Sequence, residues 1–420
     1  MKRISFLALA ATWLAALSAC GGGGTYQSSM PPPNLGGDFD LLYTFNGAPD
    51  GGTPVGGLVR DASGNLYGTT ENGGGFGWGV VFKLDPTGKE TVLHTFTGGA
   101  DGATPRASLI RDSAGNLYGT AYQGGAVCGQ FTCGVVFKID GAGNYTVLYT
   151  FMGGADGGNP EAPVLMDAAG DLYGTNIFGG AGYGVVFQLN VATEVYTVLH
   201  TFTGGADGAL PFAGLIQDAA GSLYGGVSSG GLAGGCGGGG CGVVFKLDPA
   251  TQDYTVLYSF TGGADGGSPG PVVQDSAGNL YGNAGAGGNG CCNYGVIFKL
   301  DPTGKETVLY NYVGGAEGWQ DQGGLLLDGA GNLFGALALG GLAGGCRGGG
   351  CGLIFELNPA TGKYSVLYTF TGAADGGEPV DALIQDSAGN FYGTASLGGN
   401  SPTGNSCGLG CGTVFKLPPQ

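Results

Sequence analysis

The sequence predicts an all-β chain folded as a seven-bladed β-propeller, each blade a four-stranded antiparallel sheet and the ring closed by the N-terminal strand. Three observations carry this prediction. Four short apolar runs recur in the same order along nearly all of the chain after residue 40, and each occurs seven times. No window shows the spacing of an amphipathic helix. The period is fixed: the phenylalanine of the third run stands at 82, 137, 187, 245, 298, 355 and 415, so six intervals span 333 residues, or about 55 each. A chain of 420 residues would otherwise suggest two or three domains.

The first run ends in aspartate, at 58–61, 109–112, 164–167, 215–218, 272–275, 325–328 and 383–386. The second is Leu-Tyr-Gly or a close variant, beginning at Leu66, Leu117, Leu172, Leu223, Leu280, Leu333 and Phe391. The third is Gly-Val-Val-Phe-Lys-Leu. The fourth is Val-Leu-Tyr-Thr-Phe, ending at Phe45, Phe96, Phe151, Phe202, Phe260, Tyr312 and Phe370. All four have strand length and are rich in β-branched and aromatic residues.

Runs one and two are joined by Asp-Ser-Ala-Gly-Asn or a relative, and runs three and four by Asp-Pro-Thr-Gly-Lys or similar. Aspartate can cap such a turn and glycine can take positive φ, so both read as tight hairpins. The other two connections are longer and glycine-rich. Alternate connections leave a blade at opposite ends, which defines a hairpin face and a loop face. The 97 glycines and 19 prolines, 116 of 420 residues, would mark a disordered chain if they had no period. Here they fall at set places between apolar runs and read as turn residues.

The phase of the repeat predicts how the ring closes. The folded part opens on a lone fourth run at 41–45 and ends on a third run at 412–417. The last blade therefore has three strands of its own. Pairing 41–45 beside 414–417 completes it and removes two exposed sheet edges. A linear solenoid would need no such latch.

Residues 1–19 read as a secretory signal. Lys2 and Arg3 precede an apolar stretch from Ile4 to Leu17 that is too short to span a bilayer. It ends in Leu17-Ser18-Ala19-Cys20, which resembles a bacterial lipobox; that resemblance implies lipidation of Cys20. Residue 21 is glycine and not aspartate, which by the same resemblance points to the outer membrane or cell surface. Residues 20–37, with Gly21–Gly24 and Pro31–Pro33, read as a tether, and residues 38–420 as the propeller. The net charge is −17, and −19 once Lys2 and Arg3 are removed with the signal. So acidic a chain is unsuited to nucleic acid and to anionic membrane surfaces.

The runs "SAGNLYGT", "GVVFKLDPTGKETVLYTF" and "TGGADG" resemble the GloVer tandem repeat of exported bacterial proteins. The likeness covers nearly all of 41–417. It implies export, anchoring and a propeller, and brings no activity with it. Blade six departs most, with Asn311-Tyr312 in place of Thr-Phe and Gly318-Trp319-Gln320-Asp321-Gln322 in place of the usual link.

Ten cysteines follow Cys20, in five local pairs: Cys128/Cys133, Cys236/Cys241, Cys291/Cys292, Cys346/Cys351 and Cys407/Cys411. Every pair lies between runs two and three. In an exported protein this reads as disulfides stapling loops of high chain entropy. The neighbouring Cys291 and Cys292 could instead pair elsewhere or stay reduced. A zinc reading is weak, because the only histidines, His94 and His200, stand where other repeats have tyrosine in the fourth run.

The loop face carries a ring of acids: Asp50, Asp101, Asp156, Asp207, Asp265, Glu317 and Asp375. They could be calcium ligands, but one carboxylate per loop is few, and Asp-Gly is also a turn sequence. No other cofactor is implied. Residues that break the repeat are the better ligand candidates: Glu71, Trp78, Tyr122, Phe131, Phe178, Tyr183, Trp319, Asp321 and Arg347. Exposed aromatics with a few polar groups would suit a glycan or a peptide. The plain alternative is that they pack down the glycine-rich loops. There is no nucleophile elbow, no phosphate loop and no cluster of histidine with carboxylates. The pair Glu71 and Asp321 is the one candidate for glycosidase chemistry. The expected function is a non-enzymatic surface binding lipoprotein, with a carbohydrate-active hydrolase or lyase on the same face, or a structural envelope component, as alternatives.

Overall fold

The computed structural model describes residues 39–128, 131–232, 234–236, 239–289, 293–319, 323–341, 346, 349–399 and 409–419. Seven four-stranded antiparallel sheets form a propeller ring. Blade one is Val59–Arg60, Leu66–Thr70, Val80–Leu84 and Glu90–Thr95, in that order across the sheet. Blades two to six repeat the order. Among the described residues the helical content is one 3-10 turn, Gly315–Glu317.

Blade seven takes Ile384–Gln385, Phe391–Ala395 and Thr413–Leu417 from one end of the propeller sequence and Asp40–Thr44 from the other. Asp40 pairs with Lys416 and Thr44 with Thr413. The Lys416 ammonium lies 3.2 Å from the Asp40 carboxylate, and the Phe45 amide donates to the Gly412 carbonyl at 3.0 Å. The latch expected from the phase of the repeat is present.

First strands are shorter than the apolar runs: two residues in every blade but the fifth, where Gly267–Gln274 runs for eight. The backbone just before them bonds to the neighbouring blade instead of its own second strand. Thr69 donates to the Ala107 carbonyl at 3.0 Å, Thr120 to Ala162 at 3.3 Å, Thr175 to Ala213 at 3.4 Å and Thr394 to Gly56 at 3.1 Å. At this inner position blades one to six carry glycine or alanine, and blade seven carries Asp381. Its carboxylate accepts from the Ser108 hydroxyl at 2.7 Å and from the Gly57 amide, tying blades seven, one and two together.

The hairpin turns form as their sequence predicts. Asp61 accepts from the Ser63 and Asn65 amides, both at 2.9 Å, from the Asn65 side chain at 2.7 Å and from the Tyr67 hydroxyl at 3.0 Å, while Gly64 takes φ +86°. Asp112, Asp218, Asp275 and Asp386 repeat the device. The glycine of Leu-Tyr-Gly is a close approach: Gly68 pairs with Phe82, and a Cβ there would sit 2.7 Å from the Phe82 ring.

The core is a ring of aromatic contacts between blades. The last residue of each fourth run meets the third-run phenylalanine of the next blade: Phe45 with Phe82 at 5.1 Å, Phe96 with Phe137 at 5.5 Å, Phe151 with Phe187 at 5.4 Å, and so on to Phe370 with Phe415 at 5.2 Å. All of these phenylalanines are fully buried. Such pairs contribute about 0.5–1.5 kcal/mol each beyond their buried area.

Candidate functional site on the loop face

On the loop face, each link between blades bridges to the loop between strands two and three: Gly52 with Asn72, Ala103 with Gln123, Gly158 with Phe178, Trp319 with Leu339. The acid ring lies within the links, and its carboxylates are engaged. Asp265 accepts from the Thr261 amide at 2.8 Å, the Thr261 hydroxyl and the Tyr258 hydroxyl at 3.1 Å. Asp101, Asp207 and Asp375 have the same threonine partners. Asp50 is bound by Asn46 and Tyr43, Asp156 by the Met152 amide and Tyr149, and Glu317 by Tyr310. These are turn residues with their lone pairs in use. Among the described residues no group of three or more His, Cys, Asp and Glu is placed to hold a metal.

His94 and His200 substitute for those tyrosines. Each stacks on a tyrosine of the next blade and lies 3.2 or 3.3 Å from its acid, Asp101 or Asp207. Burial lowers both imidazole pKa values, and the adjacent aspartate only partly offsets it.

The residue just before the glycine that opens the third run is Trp78, Cys133, Tyr183, Cys241, Tyr294, Cys351 or Cys411. In six blades it covers the first glycine of the following link: Trp78 on Gly98, Cys128–Cys133 on Gly153, Tyr183 on Gly204, Cys236–Cys241 on Gly262, Tyr294 on Gly314 and Cys346–Cys351 on Gly372. At each of these glycines φ lies between +74° and +78°, and a Cβ would clash with the covering ring or sulfur. Aromatic side chain and disulfide thus do one job, alternating around the ring. Trp78 and Tyr183, expected as ligand residues, pack down a glycine turn while keeping 43% and 44% of their surface exposed. Cys411 is also disulfide-bonded.

Glu71 and Tyr122 are brought together by a residue the sequence analysis missed. Arg106 donates to Glu71 at 2.9–3.0 Å and to Glu161 at 3.1 Å, and its guanidinium lies 4.1 Å from the centre of the Tyr122 ring. All are partly buried. Burial opposes the Arg106 charge, but Glu161 and Glu71 outweigh it and hold its pKa above the ordinary value. Burial pushes the Glu161 carboxyl up, and Arg106 only partly counters it. Arg106 and Glu161 come from the links on either side of blade two, next to Ala107 and Ala162, and Glu71 and Tyr122 from the loops after the second strands of blades one and two, so the cluster stands at the inner edge of the loop face. A sequence signal existed: Arg106 and Glu161 are charged where Val55, Phe212 and Val380 stand in other repeats.

Of the remaining candidates, Phe178 is 46% exposed, and Trp319 stacks at a tilt on Tyr294 with ring centres 5.2 Å apart. Phe131 lies in a two-residue strand paired with Val127–Cys128. Cys20, Cys291, Cys292, Asp321, Arg347 and Cys407, with the signal and tether, lie outside the described residues. The proposed Glu71–Asp321 pair lies partly outside them too; Glu71 has Arg106 as its partner.

A family model described as the Gloeobacter/Verrucomicrobia repeat matches residues 16–239 and 233–420. The chain belongs to this family. No curated protein sequence matches it. Among solved structures, this member of the repeat family is similar to virginiamycin B lyase from Staphylococcus aureus, with TM-score 0.56 and 13% identity over 91% of this chain and 100% of that one. It is also similar to the extracellular domain of a putative hybrid two-component system from B. thetaiotaomicron, with TM-score 0.55 and 12% identity over 92% of this chain and 42% of that one. At such identity the likeness is one of fold, and propellers of one shape serve many functions. The local disulfides are the chemistry of an exported protein.

Proposed function

We propose that the chain is a cell-surface binding module, lipid-anchored through Cys20, that engages a glycan or an envelope protein with its loop face. One observation carries this reading. Among the described residues twelve large apolar side chains are exposed, and all but Leu41 and Val195 lie in loop-face connections. They include Phe76, Trp78, Phe178, Tyr183 and Phe212. Exposed aromatic and aliphatic groups gathered on one face mark an interaction surface. The Glu71–Arg106–Glu161–Tyr122 cluster supplies fixed hydrogen-bonding groups at its inner edge.

The test is a thermal-melt screen of the oxidised chain against neutral and charged polysaccharides and calcium. A ligand that binds only the folded state raises the midpoint with concentration. The expected outcome is a saturable shift that Arg106→Ala abolishes while moving the unliganded midpoint by only a few degrees. If nothing shifts it, the glycan reading falls and a protein partner or structural envelope role takes its place. A second reading, a hydrolase or lyase, draws on the raised Glu161 carboxyl close to a second carboxylate, Glu71. It requires turnover of a shifted saccharide that Glu161→Gln removes.

A further inference from the structure

Around the outer wall, one aromatic contact joins most neighbouring blades. Tyr145 stacks on His94, Tyr196 on Tyr149, Tyr254 on His200 and Tyr364 on Tyr310, with ring centres 3.7–4.2 Å apart. The same four tyrosines donate their hydroxyls to the main-chain carbonyls of Asp101, Asp156, Asp207 and Glu317 at 2.5–2.8 Å. At the seam between blades six and seven Phe39 keeps the stack, on Tyr368 at 4.4 Å.

Two seams break this pattern. Where the others have an aromatic ring, blade one has Glu90 and blade five has Glu306. Neither can stack, and neither has a proton to give when ionised. In both, Oε1 is buried and has no hydrogen-bond partner. The titratable groups facing Glu90 are Asp50 and Tyr43, and those facing Glu306 are Asp265 and Tyr258. Each tyrosine hydroxyl is already committed to its aspartate, at 2.7 and 3.1 Å. Among the described residues, Oε1 of each glutamate is therefore left beside acceptors with no donor to bind it.

We propose that Glu90 and Glu306 are proton-operated seams: as carboxylic acids they fit among the facing acceptors and hold their blade to the preceding one, and as carboxylates they repel it. The seam at Glu90 matters more, because Tyr43 belongs to the latch strand Asp40–Thr44. Burial, with the charge of Asp50 or Asp265 added to it, raises both carboxyls to about 7. A folded-state value above the unfolded one means that the fold binds the extra proton. Stability from these groups is present below the ordinary carboxyl range and is lost as pH climbs toward and through 7. His94 and His200 act in the opposite sense: their lowered values make stability rise with pH up to the ordinary imidazole range. The two effects must be separated by substitution.

The experiment is a set of melting curves from pH 5 to 8 on the wild-type chain, Glu90→Gln/Glu306→Gln and Glu90→Tyr/Glu306→Tyr. Relative to the Gln variant, the wild-type midpoint should fall by about 2 °C or more across that range. The Tyr variant, which restores the stacking ring, should exceed wild type most at pH 8. Amide exchange in 41–45, corrected for its intrinsic pH dependence, should speed up at pH 8 in wild type and not in the Gln variant. A wild-type-minus-Gln difference that stays constant with pH overturns the proposal. So does unchanged exchange in 41–45. If the Tyr variant fails to fold, the Gln comparison still decides.

Discussion

On the hairpin face Asp61, Asp112, Asp218, Asp275 and Asp386 make the same turn with the same hydrogen bonds. On the loop face the equivalent covering position passes from Trp78 to Cys133, Tyr183, Cys241 and Tyr294. The hairpin turn is a local hydrogen-bonding problem with one good solution, in which a side-chain oxygen sits two and four residues before the amides it accepts. Covering a glycine turn is a contact problem, and any compact apolar group of the right reach solves it. Identity repeats where geometry dictates the atom; role repeats where it dictates only the volume.

The strongest test of the comparison removes the element both faces depend on. Deleting residues 39–45 leaves blade seven with three strands and exposes the outer edge of Thr413–Leu417. Cooperative unfolding should be lost or its midpoint should collapse, as circular dichroism melting will show. An unchanged transition would refute ring closure as the source of cooperativity. Next in size, Gly98→Ala and Gly153→Ala place a Cβ against Trp78 and against the Cys128–Cys133 bridge at positive φ. Each should cost about 1–3 kcal/mol. If Gly98 matters and Gly153 does not, ring and disulfide are not equivalent covers. The smallest effect belongs to a single hairpin: Asp275→Ala should cost about 1 kcal/mol. Hydrogen bonds from Asn279, Tyr281 and Ala277 outweigh burial and hold the Asp275 carboxyl below its ordinary range. Its contribution is present above the unfolded carboxyl value and disappears as pH falls through the lower folded one. The variant's deficit should therefore shrink in acid, measurable as converging denaturation midpoints below pH 4.

The blade count, the strand order, the latch and the hairpin turns were legible because each follows from period, phase or a local turn motif. Three of the five expected loop disulfides, Cys128–Cys133, Cys236–Cys241 and Cys346–Cys351, were legible from pairing and place. Along the chain Trp78 and Tyr183 stand out as exceptions to the repeat; aligned on the glycine that follows, they are part of it. Arg106 and Glu161 escaped because they sit beside Pro105 and Pro160 in links where glycine and proline dominate the pattern. Their meeting with Glu71 and Tyr122 depends on the curvature of the ring, which no spacing along the chain encodes. Glu90 and Glu306 were hidden by the ordinary appearance of a glutamate at the start of a surface strand.

The latch strand also fixes a direction. It pairs Asp40 with Lys416, and the residues just after Leu417 pack at the first hairpin of blade seven, where Pro419 lies against Gly389. The polypeptide therefore enters the ring and leaves it on the hairpin face. A propeller held from its N-terminal side would stand with the invariant turns toward its support and the variable loops pointing outward, so the surface free to diverge is also the one with the longest reach into the surroundings.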